Sequence, residues 1–352
     1  EDCLGIPFSE ASMKNKPAFS PDLLNLDCEI ELDTISASIR KVLGKTLRKR
    51  GLVVGISGGI DSSLTAALCV RAVGAERVIG LQMPERHSAE DTLGLSEQIA
   101  DHLGIRKVLI DITPTLEAVG CYAKYDEAVR AAVPGYGPGW RSKIVVSQIS
   151  EDRAYTLFSV VAEPPGGRVV RKRLDLGSYL AIVASTNFKQ RIRKMLEYYH
   201  ADLYNYAVAG TPNRLEYDQG FFVKQGDGAA DIKPIAHLYK SQVYELARHL
   251  GLPEAIISRP PTTDTYSLPQ GQDEFFFAVP YEVMDLCLYG KNHGFSPEAV
   301  APAVGLPPGR IKAIYQDIDR KRATTHYLHL APVLVAPVPE IDDAPKAGKD
   351  AY

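Results

Sequence analysis

None of the five cysteines (Cys3, Cys28, Cys69, Cys121 and Cys287) pairs with another in a CxxC or other zinc-ligand spacing. Their odd number and scattered positions exclude a disulfide framework and leave free or buried thiols suited to a reducing compartment, so a cytoplasmic address is expected. No window approaches the roughly 18 apolar residues that a membrane-crossing helix needs. The chain also opens on two acids, where a secretion signal would carry positive charge. Neither export nor membrane anchoring is expected. A surplus of charge of one sign is missing as well: the formal net charge is −3, which gives no overall attraction to nucleic acid. Internal repeats are absent. What the chain has is size and apolar content. Its 352 residues, 45% hydrophobic and 24% charged, suffice for one large α/β domain or two small ones with no metal or disulfide staple.

Residues 1–28 read as an N-terminal extension rich in Pro, Ser, Asn and Lys, and residues 29–50 alternate apolar and polar positions at helical spacing. An apolar run over 52–56 is then broken by glycines, and good helix formers follow to residue 73. Strand, tight loop and helix are the expected order. The alternation continues with a strand over 77–83, a helix over 89–103 and a strand over 108–112, which is the pattern of a doubly wound parallel sheet with ligands at the strand ends. From about 113 to 177 the regularity fails. A Gly- and Pro-rich tract over 134–140 precedes a hairpin expected from 155–161 and 168–174, so an insertion is placed at about 119–177. Helices are expected again over 179–199 and 241–250, with a strand over 206–209 between them. Two or three short helices are expected over 280–321, and a loose tail over 331–352. The fold class is therefore α/β, a Rossmann-like doubly wound parallel sheet with an inserted hairpin and a helical C-terminal part.

The most informative segment is Gly55-Ile56-Ser57-Gly58-Gly59-Ile60-Asp61-Ser62. Adjacent glycines let the backbone come close to a phosphate, the hydroxyls and loop amides donate to it, and the following helix aims its positive end at the anion. Asp61 is placed to hold Mg²⁺. A Walker loop would need a lysine after the second glycine of its pattern, and none follows here, so transfer of the terminal phosphoryl group is disfavoured. The SGGxDS pattern resembles the pyrophosphate loop of enzymes that cleave ATP to AMP and pyrophosphate.

A second group begins at Gly210-Thr211-Pro212-Asn213-Arg214-Leu215-Glu216 and continues through Lys224-Gln225-Gly226-Asp227-Gly228-Ala229-Ala230-Asp231, Pro234-Ile235 and Leu238-Tyr239-Lys240. One hydroxyl, carboxylates in glycine-permitted turns and two lysines are the parts of a magnesium–nucleotide site. GTxNxxE, KxGDGAAD, PI and LYK together resemble the signature run of the NAD synthetase family. Asn187 to Met195 resembles that family's NxKARxRM, Pro260-Pro261-Thr262-Thr263-Asp264 its PPTAD, and Asp319-Arg320-Lys321-Arg322 its HKR.

The resemblance implies an ATP-dependent ligase that joins ammonia to the nicotinate carboxylate of deamido-NAD through an acyl-adenylate, with Mg²⁺ and as a homodimer. It implies that Gly55 to Ser62, Thr211, Lys240 and Thr262 contact ATP. Asp61 and Glu216 would bind the metal, and Arg191, Lys224, Asp231, Arg320 and Lys321 would face the dinucleotide. Asp61, Lys224 and Lys240 would act in catalysis by clamping two polyanions rather than by covalent attack. His87 and His237 are read as capping or packing groups. With no room for a glutamine-hydrolysing domain, free ammonia or a separate glutaminase subunit would supply nitrogen. Three departures fall on the acceptor side: the insertion with its basic residues Arg168, Arg171, Lys172 and Arg173, the stretch Asp273-Glu274-Phe275-Phe276-Phe277 where the family carries DExE, so that an aromatic replaces one carboxylate, and Arg320-Lys321-Arg322 in place of HKR. They leave open a related ligase for another carboxylate. A nucleotide-binding regulator without turnover is a further reading, against which Asp61 and Glu216 argue.

Overall fold

The computed structural model describes residues 18–147, 157–262 and 265–339. The order begins with α1 (Cys28–Lys41), β1 (Leu52–Gly55), α2 (Ile60–Val73), β2 (Val78–Gln82), α3 (Glu90–Leu103) and β3 (Arg106–Leu109). It continues with α4 (Thr113–Ala118), α5 (Cys121–Ala132), β4 (Arg141–Val146), β5 (Phe158–Glu163), β6 (Val170–Arg173), the long α6 (Leu176–Tyr204) and β7 (Ala207–Ala209). The last part holds α7 (Arg214–Gln219), α8 (Lys240–His249), α9 (Glu254–Ile257), α10 (Tyr281–Asn292), α11 (Pro297–Val304) and α12 (Pro308–His329).

The main sheet is parallel, in the order β3-β2-β1-β7. Successive residues of a strand face opposite sides, and β1 exploits both. Leu52 and Val54 pack into the core formed with α1, α2 and α8, whereas Val53 joins the core on the other face with α4 and α6. Helix α2 is buried almost all round, from Ile60 to Ala72, which fixes its N-terminus at the end of β1. Because β2 lies on one side of β1 and β7 on the other, the strand order reverses at β1/β7. That is where an open α/β sheet leaves a ligand crevice.

Two expectations shift. The edge strand β3 starts at Arg106, since Gly104 ends α3 in a left-handed turn and pairing begins at once. Ile110 and Ile112 still donate to the Gln82 and Pro84 carbonyls, 2.9 and 3.0 Å. The tract after residue 113 is helical as far as Ala132. Pro114 opens α4, and Cys121, Tyr122, Tyr125, Ala128 and Val129 line the buried side of α5 at helical spacing. The hairpin of β5 and β6 gains a third strand, β4, in an antiparallel sheet ordered β4-β5-β6 that packs on α5, α6 and Tyr266. Residues 155 and 156 of the expected hairpin lie outside the described residues. Helices α10 to α12 enclose a core of Met284, Cys287, Leu288, Ile311, Ile314 and Ile318, and α12 is longer than the short helices expected. Among the described residues no helix is long and apolar enough to cross a membrane.

Candidate active site

The crevice at the β1/β7 switch opens into a cavity of about 520 Å³. Its floor is the loop after β1. Gly55, Ile56, Ser57, Gly59, Ile60, Asp61 and Ser62 line it, whereas Gly58 turns away at φ 70°, and a Cβ there would stand 2.5 Å from the Leu95 Cβ. Only glycine fits that backbone so close to α3. Ser62 Oγ donates to the Gly59 carbonyl at 3.0 Å and accepts from the Ser57 amide at 3.3 Å, which sets the curvature of the loop. Among the described residues no side chain caps the first turn of α2, whose residues Ile60, Asp61 and Ser62 line the cavity, so its amides are left for a ligand.

Asp61 stands in that first turn. It accepts from the Lys240 ammonium in a short ion pair, and from Asn213 Nδ2 at 2.9 Å. Asn213 forms a capping box with Glu216 at the start of α7: the Glu216 amide donates to its Oδ1 at 3.2 Å, and its own amide donates to Glu216 Oε2 at 3.1 Å. Gln272 Nε2 donates to the other Glu216 oxygen at 3.0 Å. Lys240 is 1% exposed. Burial pulls its ammonium down, but Asp61 and Glu216 more than offset this and hold it above the usual lysine value. Burial, and then the charge of Asp61, push the Glu216 carboxyl up to about 8. Two carboxylates thus share one ammonium, and the group is short of positive charge.

Thr211 and Thr262 line the cavity, as do Arg191 and Lys224. Arg191 is exposed and donates to the Lys224 carbonyl at 3.3 Å. Lys224 Nζ donates to the Tyr327 and Leu330 carbonyls, 2.7 and 3.3 Å, at the end of α12. Three residues expected to face the dinucleotide lie elsewhere. Asp231 accepts from the Val208 amide at 2.8 Å and from the Tyr198 hydroxyl at 3.3 Å, so it braces β7 against α6. Arg320 is bonded within its own helix to the Gln316 carbonyl at 3.1 Å, and Lys321 pairs with Asp317 at 2.7 Å over the Phe276 ring. The residues of α12 that reach the cavity are Thr325, Tyr327 and Leu328, beyond the Arg320 to Arg322 stretch. Phe275 and Phe276 do line it, with Phe276 stacked on Phe221 at 4.7 Å.

Sequence reasoning gave no role to Asn213 or Gln272. The N-x-x-E spacing of a capping box carries a signal for the first, and nothing local carries one for the second. His87 lies 3.2 Å from Lys189 Nζ, and burial holds its ring pKa down to about 4. His237 pairs with Glu31 at 2.8 Å on the surface.

A family model described as NAD synthase matches residues 31–134 and 169–328. An NH(3)-dependent NAD(+) synthetase of Rhizobium meliloti (strain 1021) is 56% identical over 329 residues, covering 94% of this chain and 98% of that protein. Among solved structures, an NMN synthetase from Francisella tularensis has a TM-score of 0.60 at 22% identity, covering 89% of this chain and 100% of that one. An NH3-dependent NAD synthetase from Campylobacter jejuni, in complex with the nitrate ion, has a TM-score of 0.57 at 23% identity, covering 88% and 100%. At such identity the two structures speak for the fold alone. Their names differ, so the fold by itself does not choose the acceptor.

Proposed function

The chain belongs to the NAD synthase family, and from that premise we propose that it amidates deamido-NAD to NAD with free ammonia, cleaving ATP to AMP and pyrophosphate. It is an ATP-dependent amide ligase. The observation that supports the residue roles best is the junction of Asp61, Lys240, Asn213 and Glu216 at the β1/β7 crevice, beside the first-turn amides of α2.

In this reading the loop from Gly55 to Ser62 holds the two phosphates that leave, with Thr211, Thr262 and Lys240 completing the ATP contacts. Arg191 and Lys224, at the other side, orient the dinucleotide. The nicotinate carboxylate adds to the α-phosphorus and pyrophosphate departs toward the α2 amides. Ammonia then displaces AMP from the acyl carbon and gives up a proton. Asp61 and Glu216 fit Mg²⁺: two carboxylates that share one ammonium, one of them raised to about 8, suit a divalent cation. Among the described residues no group of three or more His, Cys, Asp or Glu forms a cage, so substrate phosphates would complete the coordination. When bound, Mg²⁺ supplies neutralising charge for the phosphates. Asn213, bonded to both carboxylates, and Gln272, bonded to Glu216, set their orientation.

The reading includes a homodimer. Leu176, Leu180, Met195, Tyr199 and Leu203 recur at multiples of about four along α6, and each is more than half exposed, an apolar stripe that a second copy would cover. It also includes a cytoplasmic setting, consistent with free Cys28, Cys69, Cys121 and Cys287.

The test is incubation with Mg-ATP, ammonium and a panel of carboxylates that includes deamido-NAD. AMP is expected in step with NAD. ADP in its place would remove the mechanism, and AMP release with another carboxylate but none with deamido-NAD would leave the related ligase.

A further inference from the structure

Residues 135–168 fall outside the match to the family model. They hold β4 and β5, to which the common chemistry of the family gives no task, and neither strand lines the cavity. What β4 touches does line it on either side. The Ser142 amide donates to Ser267 Oγ at 2.9 Å, and the Leu268 amide donates to the Ser142 carbonyl at 3.2 Å. Lys143 Nζ donates to the Pro269 carbonyl at 3.0 Å and pairs with Glu274 at 2.5 Å. The buried Gln270 donates from Nε2 to the Ile144 carbonyl, and the buried Tyr266 packs on Tyr125 of α5 and on Phe275, with ring centres 6.2 and 5.4 Å away.

Every residue from Tyr266 to Gln270 is therefore held from β4 or α5. The run belongs to no helix or strand of its own, so these contacts stand in for the bonds that regular structure would supply. Immediately beyond it, Gln272, Phe275 and Phe276 line the cavity. On the other side Thr262 and Thr265 line it too, but that side has a separate anchor: Lys189 of α6 donates to the Thr265 carbonyl at 2.7 Å. Without β4, the stretch that leads to Phe275 and Phe276 would have to be ordered by the ligand, at the expense of binding.

We propose that β4 is a clamp built into this enzyme, with Lys143 and Gln270 as its positioning residues. It holds Phe275 and Phe276 in their binding arrangement before the acceptor arrives, and so sets the affinity for the acceptor. The proposal rests on the reading that assigns this wall to the acceptor. Neither Lys143 nor Gln270 lines the cavity, and both act through the run they hold. Loosening the run lowers the fraction of free protein with a competent wall, and the apparent affinity falls by that fraction while the rate at saturation stays.

The experiment compares wild type, Lys143→Met, Lys143→Arg, Gln270→Met and, as a control on the same strand, Arg141→Ala, whose side chain pairs with Glu163 of β5. Kinetics are measured on whichever carboxylate the wild type activates, so failure of the deamido-NAD reading shows in the wild type and failure of this one only in the variants. Lys143→Met and Gln270→Met are each expected to raise the acceptor KM about tenfold, with kcat and the KM for ATP within about twofold. Lys143→Arg should lie between wild type and Lys143→Met, and Arg141→Ala should match wild type. Hydrogen exchange at residues 266–274 should be faster in the two ligand-free variants and return to the wild-type rate when the acceptor saturates. Acceptor KM values within about twofold of wild type in both variants, even with lowered melting temperatures, would overturn the proposal, since the sheet would then support the fold alone. Unchanged exchange in the ligand-free variants, or an equal rise in the KM for ATP, would overturn it as well.

Discussion

On the ATP wall of the crevice, charged side chains answer to one another: Asp61 to Lys240 and Asn213, and Glu216 to Asn213 and Gln272. On the wall assigned to the acceptor, cations answer to backbone carbonyls instead, the half-buried Lys224 at the end of α12 and the exposed Arg191 at residue 224. A mutually bonded, buried set has one arrangement and holds it before ligand arrives, which suits phosphate chemistry. Cations held by one or two neutral carbonyls can exchange those partners for substrate anions. In the proposed reading, the wall assigned to ATP is the mutually bonded one, and the wall assigned to the acceptor is held by carbonyl contacts.

The sharpest way to break this contrast is Asp61→Asn. It takes the charge partner from Lys240, which is 1% exposed. A fall in turnover of about a thousandfold is expected from the lost site charge, with up to about 3 kcal/mol lost from stability because the buried ammonium keeps only the charge of Glu216. AMP release and denaturant unfolding measure the two. Near-normal AMP release at limiting Mg²⁺ would mean that the metal does not depend on Asp61.

Arg191→Ala probes the other wall and should be gentler. The KM for deamido-NAD is expected to rise about tenfold while the KM for ATP and the melting temperature hold. Equal rises in both KM values would place Arg191 in the shared binding of the two substrates and blur the division between walls. Asp231→Asn should behave in the opposite manner. Its carboxylate accepts from the Val208 amide and the Tyr198 hydroxyl, so about 1 kcal/mol of stability should go with the weaker acceptor, and both KM values should stay. A selective rise in the deamido-NAD KM for this variant would return Asp231 to the substrate.

The same contrast explains what could be read from the chain itself. The strand, glycine turn and helix over residues 52–73 are contiguous, and the pattern that names the loop also sets its geometry, through Gly58 at φ 70° and the buried face of α2. The acceptor wall has no such segment. It is assembled from α6, the turn at Lys224, the stretch from Thr265 to Phe276 and the end of α12, which meet only through tertiary packing. A short basic motif on α12 therefore gave no information about which turn of that helix faces inward. Thr325, Tyr327 and Leu328 do so because Ile311, Ile314 and Ile318 fix the rotation of α12 against α10 and α11. The helices α4 and α5 were legible in their apolar spacing but were overshadowed by the Gly- and Pro-rich tract that follows them.

Arg320→Ala carries the smallest expected effect and sharpens the comparison most finely. Arg320 is half-buried, its Nε is bonded to the Gln316 carbonyl one turn back at 3.1 Å, and it does not line the cavity. Removing this half-buried side chain, away from the cavity, should change stability by about 1 kcal/mol at most. Within one subunit neither KM should move by more than about twofold. Steady-state kinetics with each substrate varied in turn is the measurement, and it has a second use. The apolar stripe on α6 is proposed to bring two copies together, and a residue outside the cavity of its own chain could reach the cavity of the other. A several-fold rise in the KM for deamido-NAD alone would then show that the acceptor wall is completed across the subunit boundary. The wall assigned to the acceptor would in that case be a property of the pair, and the wall assigned to ATP of each chain by itself.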